Sequence, residues 1–282
     1  MAKVSVRHIK ARIKTIKNIQ KMTRSMMLVA AAKFAKAQIK TEHARPYAHR
    51  LKEIMQDIAL RASKNHPYLI EREVKNELAV IITSNRGLCG SFNTNLILCA
   101  EKYINEVSSN INLLLVGKRG IFHFRKKGFP IISEYIFPEK DIEGVSYEIA
   151  NKAEKGFLSC EFDRVVLIYN EFVSVFRQKS TVYKLIPVTP KEPEKRFISD
   201  YIYEPDPITC LEAIFSLYFK YEIYEVFLES IASENAARML AMDNATKNAE
   251  GLAKELFFTF NQARQAGVTK EITEIVTTGE VL

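Results

Sequence analysis

What most constrains this chain is where it lacks helix breakers. No glycine occurs before Gly87, the first proline is Pro46, and residues 208–250 contain neither. Windows this long without punctuation permit helices well beyond the ordinary 8–20 residues. In the first window apolar or small residues recur at alternating steps of four and three: Ile9, Ile13, Ile16, then Gln20, Thr23, Met27, Ala30, Phe34 and Ala37. Lys10, Arg12, Lys14, Lys17, Lys21, Arg24, Lys33 and Lys36 fill the positions between. This is a coiled-coil seam with a basic flank, interrupted by polar Gln20 and Thr23. Pro46 is expected to kink or briefly break the helix near Arg45. The pattern resumes through Leu51, Ile54, Met55 and Ile58 until Asn65-His66-Pro67.

The last segment behaves the same way. Glu204-Pro205-Asp206-Pro207 is a start signal, with Asp206 as N-cap and Pro207 in the first turn. Apolar positions run through Leu211, Phe215, Tyr218, Val226, Leu228 and Ile231. A stretch of small residues follows (Ala232, Ser233, Ala236, Ala237, Ala241, Ala245, Ala249), then Leu252, Leu256, Phe257 and Phe260 up to Gln265. Gly267 is a point of possible perturbation before the pattern resumes to Ile275. As helices, residues 3–45 and 208–265 would extend about 65 Å and about 87 Å. A helix with an apolar stripe must bury it. Pairing the two chain ends with each other is the economical solution, antiparallel because a compact segment between them returns the chain. Seven-residue spacing implies a left-handed supercoil.

Residues 76–190 read differently. Leu78–Thr83, Leu113–Val116 and Val165–Tyr169 are continuous apolar runs, as in strands buried on both faces of a parallel sheet. Helical patterns at Ser91–Val107, Lys118–Lys127 and Val145–Leu158 alternate with them. The fold class is α/β: a long antiparallel coiled coil of the terminal helices plus a Rossmann-like domain with a mainly parallel sheet. Alternation around Lys179–Pro187 suggests an edge hairpin, and five of the nine prolines fall within residues 185–207, an exit linker. The expected division is 1–64, 65–207 and 208–282.

Charge is uneven. The whole chain is +8, yet residues 1–64 hold 16 Lys/Arg against three acids, so that segment is +13 and the remainder is −5. Such a segment points to an acidic partner without saying which. A hydrophobic content of 47% excludes a disordered chain, and no apolar run reaches the roughly 18–20 residues of a membrane span. The N-terminus has no secretory-signal pattern. Cys89, Cys99, Cys160 and Cys210 are scattered and form no Cys-x-x-Cys pair, which argues against a disulfide framework or a zinc site.

No catalytic set emerges. Neither G-x-x-x-x-G-K-[ST] nor G-x-G-x-x-G occurs, and G-x-S-x-G and H-E-x-x-H are also absent. Arg86-Gly87-Leu88-Cys89-Gly90 follows the first strand and precedes a helix with Ser91 as its N-cap, where phosphate could bind. A tight strand-to-helix turn explains those glycines more simply, and Gly117-Lys118-Arg119-Gly120 reads alike. Cys89 beside Arg86 reads as a packing residue rather than a nucleophile. His8, His43 and His49 should face solvent. Glu222 and Glu225 read as solvated carboxylates on a helix face.

Several motifs together are specific. Ile9–Lys33 (IKARIKTIKNIQKMTRSMMLVAAAK) resembles the N-terminal helix of the gamma subunit of F-type ATP synthases. So do Arg45-Pro46-Tyr47, Ser84–Gly90, Tyr203–Pro207, Ser233–Met242, Ala245-Thr246, Asn261–Gln265 and Thr269–Val276. The resemblance spans nearly the whole chain, in order. The chain departs from it at Asn85, where the family usually has Asp, at Met27, where an acid is common, and at Asn235, where Gln is common. The paired-cysteine insertion of redox-regulated members has no counterpart.

The resemblance implies a non-catalytic rotor. Its coiled coil would pass through a ring of alternating alpha and beta subunits, and its α/β domain would bind epsilon and the membrane c-ring. Proton-driven turning would force three beta sites through different nucleotide affinities. No cofactor, metal or catalytic residue is implied. Lys21, Arg24, Met26, Arg86, Gly87, Leu88, Cys89, Gly90, Arg238, Gln265 and Thr269 would contact the alpha/beta head. Tyr203 and Glu204 would lie at the foot near the c-ring and epsilon. The expected location is peripheral, on the cytoplasmic face of a bacterial plasma membrane, with one copy per complex.

Two other classes compete on residues alone. A nucleic-acid-binding coiled coil would use the basic helix on phosphates, but only Phe34 and Tyr47 interleave aromatics there. A salt-steep shift with duplex DNA would favour it. An α/β enzyme with a dimerisation arm would show saturable nucleotide binding.

Overall fold

The computed structural model describes residues 6–61, 66–189, 204 and 207–279. In chain order the elements are α1 (Val6–Arg61), β1 (Asn76–Ile82), α2 (Phe92–Glu106), β2 (Asn110–Val116), α3 (Lys118–Lys127), β3 (Ile131–Tyr135), α4 (Ile142–Leu158), β4 (Arg164–Ser174), β5 (Arg177–Ile186) and α5 (Pro207–Gly279). By compactness the chain divides into two units, Met1–Ala30 with Arg238–Leu282, and Ala31–Ala237.

Both terminal helices are single elements. α1 keeps Pro46 inside it, so the expected break near Arg45 does not occur. The reason lies in the seam. Ile9, Ile16, Thr23, Ala30 and Ala37 are buried at heptad spacing, and the same series continues through half-buried Ala44 to buried Leu51 and Ile58. Packing therefore holds one phase across the proline and offsets the hydrogen bond it removes. α5 likewise runs through Gly267. The Asp206 cap and most of the exit linker lie outside the described residues.

The five strands are ordered β3-β2-β1-β4-β5. β1 pairs in parallel with β2 and β4, and β2 with β3, while β5 closes one edge antiparallel to β4. The sheet is covered on both faces, which is why its central strands read as unbroken apolar runs. Ala79 and Ile81 of β1 face a cluster with Leu96 and Ala100 of α2 and Phe124 of α3. Leu78, Val80 and Ile82 face the opposite way, into a cluster with α4 residues Ile149 and Phe157, Leu51–Ala59 of α1, and Leu211–Leu228 of α5.

Three details correct the sequence reading. β3 was not anticipated: its Ser133 and Glu134 break the apolar run of a short edge strand. α4 starts at Ile142, not Val145, because the Asp141 carboxylate accepts the Gly144 N–H at 3.0 Å. Ser91 stands at the N-cap of α2 but makes no side-chain cap bond. The edge hairpin is present as β4–β5.

Candidate functional site

In an open α/β sheet, ligands bind beyond the strand ends where strand order reverses. Here that point lies between β1 and β4, and the Ser84–Gly90 turn occupies it. The turn is built by inward-directed hydrogen bonds. Thr83 Oγ1 donates to the Val116 carbonyl at 2.9 Å and accepts from Gly120 N–H at 2.9 Å. Gly117, at φ +94°, lies so close that a Cβ there would overlap the Thr83 carbonyl. Asn93 Oδ1 accepts Ser84 N–H at 3.1 Å, and its Nδ2 reaches Cys89 Sγ at 3.2 Å.

Asn85 is the central clamp. Its Nδ2 donates to the Phe137 carbonyl at 2.8 Å, while its Oδ1 accepts Phe137 N–H at 3.0 Å and Lys118 N–H at 3.3 Å. One amide thus joins the loops after β1, β2 and β3. A carboxylate could take the two N–H groups but could not donate to the carbonyl. That need accounts for Asn at this position.

Within the turn, exposure alternates. Arg86, Leu88 and Gly90 point outward, whereas Cys89 is buried and Gly87 half-buried. Leu88 is 62% exposed at φ +63°. Arg86 lies 3.8 Å from Glu139, with both side chains well solvated. Cys89 packs with Phe92 and with Ala237 of α5. Asn170 of β4 donates to the Phe92 carbonyl at 3.0 Å across the same place. The crevice is filled by the chain's own residues, so Cys89 is a packing residue.

A cavity of about 540 Å³ lies at the opposite strand ends, beside Asn76, Asn110, Asn112 and Phe129, away from this turn. No group of three or more potential metal ligands occurs among the described residues.

The remaining site residues fall in two places. Glu204 is exposed, and its carbonyl accepts from Cys210 Sγ at 3.2 Å. Tyr203 lies outside the described residues. In the unit Met1–Ala30 with Arg238–Leu282, Lys21, Arg24, Gln265 and Thr269 are exposed, while Met26 and Arg238 are half-buried. Thr269 Oγ1 caps the Gln265 carbonyl at 3.0 Å. The helices meet there through Thr23 and Thr246, whose hydroxyls are 2.7 Å apart. On α5 the inward positions 242, 246, 249, 253, 256, 260, 263 and 267 keep the four-three step.

Sequence reasoning missed a second stripe. Ile19, Met22, Met26 and Val29 repeat at three-four-three spacing, each one residue before a seam position, and three of the four are exposed. Phe257, Phe258, Val268 and Ile272 are exposed on α5. The signal was available: apolar residues at heptad spacing off the seam. Among the described residues Lys14, Lys17, Lys21, Arg24 and Lys33 make no ion pair. His8, His43 and His49 are exposed, as anticipated.

A chain that pairs its terminal helices, and fills the switch-point crevice of its own sheet with one of them, is a structural assembly subunit. The family model described as ATP synthase matches residues 5–282. The chain is 39% identical over 289 residues to the ATP synthase gamma chain of Chlorobaculum tepidum, with 99% of each chain covered. It is 41% identical over 288 residues to that of Halothermothrix orenii, again with 99% of each covered. Among solved structures it is similar to a central stalk/c-ring chain of the Tetrahymena thermophila mitochondrial ATP synthase (TM-score 0.61, 26% identity, 79% of this chain and 99% of that one). A chain of the Euglena gracilis enzyme shares the fold (TM-score 0.70, 21% identity, 98% and 94% covered). The chain belongs to the gamma-chain family of ATP synthases. It is a non-catalytic, central-stalk subunit, and the family gives no support to the nucleic-acid alternative.

Proposed function

We propose that this chain turns inside the catalytic head and passes torque between the head and a proton-driven c-ring, touching both through the residues named from the sequence. Lys21, Arg24, Met26, Arg238, Gln265 and Thr269, with the Arg86–Gly90 turn, bear on the alpha and beta subunits. Tyr203 and Glu204 bear on the c-ring and epsilon. The observation that carries this reading is the outward face of α1, where cations that make no ion pair among the described residues flank a largely exposed apolar stripe. A turning shaft needs contacts that are many and individually weak, and exposed ion pairs contribute only about 0–1 kcal/mol each.

This chain is a peripheral subunit of a membrane complex. No helix among the described residues is long and apolar enough to cross one. The bacterial gamma chains at about 40% identity favour the cytoplasmic face of a bacterial plasma membrane. Met26→Lys adds a persistent charge beside the head and is expected to lower the protons pumped per ATP hydrolysed. An unchanged ratio in fully assembled complexes would refute the Met26 contact.

A further inference from the structure

Glu222 is not the solvated carboxylate its sequence suggested. It is buried on α5 and accepts three hydrogen bonds at Oε1: from Lys52 Nζ of α1 at 3.0 Å, Tyr183 Oη of β5 at 2.8 Å and Tyr218 Oη at 2.9 Å. Each phenol has one proton, so with both committed to Glu222 the 3.0 Å between the two phenol oxygens carries none. Burial first, and then the facing carboxylate, raises both tyrosines above the ordinary phenol range, so both remain donors.

A second buried carboxylate holds α5 elsewhere. Glu154 of α4 accepts Tyr68 Oη at 2.6 Å and, on its other oxygen, Ser216 Oγ of α5 at 3.0 Å. At 3.6 residues per turn, Ser216 lies about 160° from Tyr218 and about 120° from Glu222 around the helix. Fully buried Phe215, Phe219 and Ile223 lie close by along the same stretch of α5. Apolar packing is non-directional, so those rings alone leave a helix free to settle in neighbouring grooves. A one-residue slip would turn α5 by about 100° and shift it by about 1.5 Å, breaking the three bonds that tie it to other elements, from Lys52 and Tyr183 to Glu222 and from Ser216 to Glu154.

We propose that Glu222 and Glu154 are positioning residues that lock the angular setting of α5 against the α/β domain, through β5 at one node and α4 at the other, so that torque passes between helix and domain through these two nodes. The proposal rests on the rotor reading. Unburied ion pairs could not serve, because solvent competes for both partners.

The test uses the whole ATP synthase, with the head immobilised and a probe on the c-ring. Thermal angular variance is measured in the stalled enzyme and ATP hydrolysis in the free one. Losing one of two directional anchors should roughly double the variance they jointly restrain. Glu222→Leu and the Tyr183→Phe/Tyr218→Phe pair should both show this broadening with near-normal unloaded hydrolysis. Glu222→Gln, which keeps an acceptor for the phenols, should stay closer to wild type. If Glu222→Leu fails to assemble, the tyrosine pair decides, since it keeps both rings. Wild-type variance in assembled tyrosine-pair complexes overturns the lock. A wild-type complex whose ring does not turn on ATP addition overturns the rotor reading instead.

Discussion

The two halves of α5 are one continuous helix under two sets of rules. From Leu211 to Ala237 it is buried on several sides, with Phe215, Phe219, Phe227 and Leu228 essentially inaccessible. From Arg238 onward, among the described residues, only Met242 and Ala249 are buried, seven residues apart, and Phe257 and Phe258 face outward. α1 shows the same contrast, with Met55, Ile58 and Ala59 inside a core and Met22, Leu28 and Val29 outside one. The first half is held by its own domain. The second keeps only the narrow stripe that pairs two helices and leaves its remaining apolar surface exposed.

The sharpest way to break this contrast is to truncate an aromatic on each side. Phe219→Ala should destabilise the isolated chain by about 3–5 kcal/mol. Phe258→Ala, at a residue 65% exposed, should stay within about 0.5 kcal/mol in the same denaturation experiment. A large loss for Phe258→Ala would mean that the outward-facing half has a core of its own.

The next effects belong to the switch-point turn. Gly117→Ala forces a side chain into a left-handed backbone pressed against the Thr83 carbonyl and should cost about 1–3 kcal/mol or more. Asn85→Asp sets a carboxylate against the Phe137 carbonyl that the amide now satisfies, for about 1–3 kcal/mol. Equal melting curves for Asn85→Asp and the parent would show that the amide donor is not needed there.

How much of this was legible depends on range. The heptad seam of α1 is local, and every residue assigned to it is buried or half-buried, polar Gln20 and Thr23 included, whereas Leu252 and Phe257 of the α5 pattern are exposed. Strands β1, β2 and β4 were legible because burial on both faces writes an unbroken apolar run. β3 was not, since a half-exposed edge strand writes no such run. The position of the Arg86–Gly90 turn follows from two glycines after a strand. That Ala237 fills the crevice beside it, and that Lys52 and Tyr183 reach Glu222, depends on residues far apart in sequence. No local pattern encodes either contact, so Glu222 read as an ordinary surface acid.

A pH effect also separates the regions. His66 is buried with no partner at either ring nitrogen among the described residues, packed between Tyr68 and Phe215. Burial lowers its pKa below the ordinary value of 6.5, against a weaker opposing pull from Glu212. The unfolded chain therefore binds the proton first. Stability should fall as pH drops through about 6.5 and level off once the folded form also protonates. His66→Phe should flatten that slope, whereas His8→Phe, at an exposed histidine, should leave it intact. Denaturation midpoints from pH 8 to 5 decide between them.

The smallest effect probes the thin half directly. Thr23 and Thr246 bring two hydroxyl protons to three contacts: the Gln20 carbonyl at 3.1 Å, the Met242 carbonyl at 2.7 Å, and each other at 2.7 Å. One hydroxyl bonds its own helix while the other donates across the seam. Replacing both with isosteric valine removes the pair together and leaves no orphan, so stability should change by less than about 1 kcal/mol in either direction. Register should respond more, because a polar pair in an apolar seam favours one alignment over its neighbours. Spin labels at Lys17 and Asn248, both exposed, would report this as a broader distance distribution in Thr23→Val/Thr246→Val. An unchanged width would assign register to the apolar seam alone. The polar node of the thin half would then have no counterpart to the role of Glu222 in the thick one.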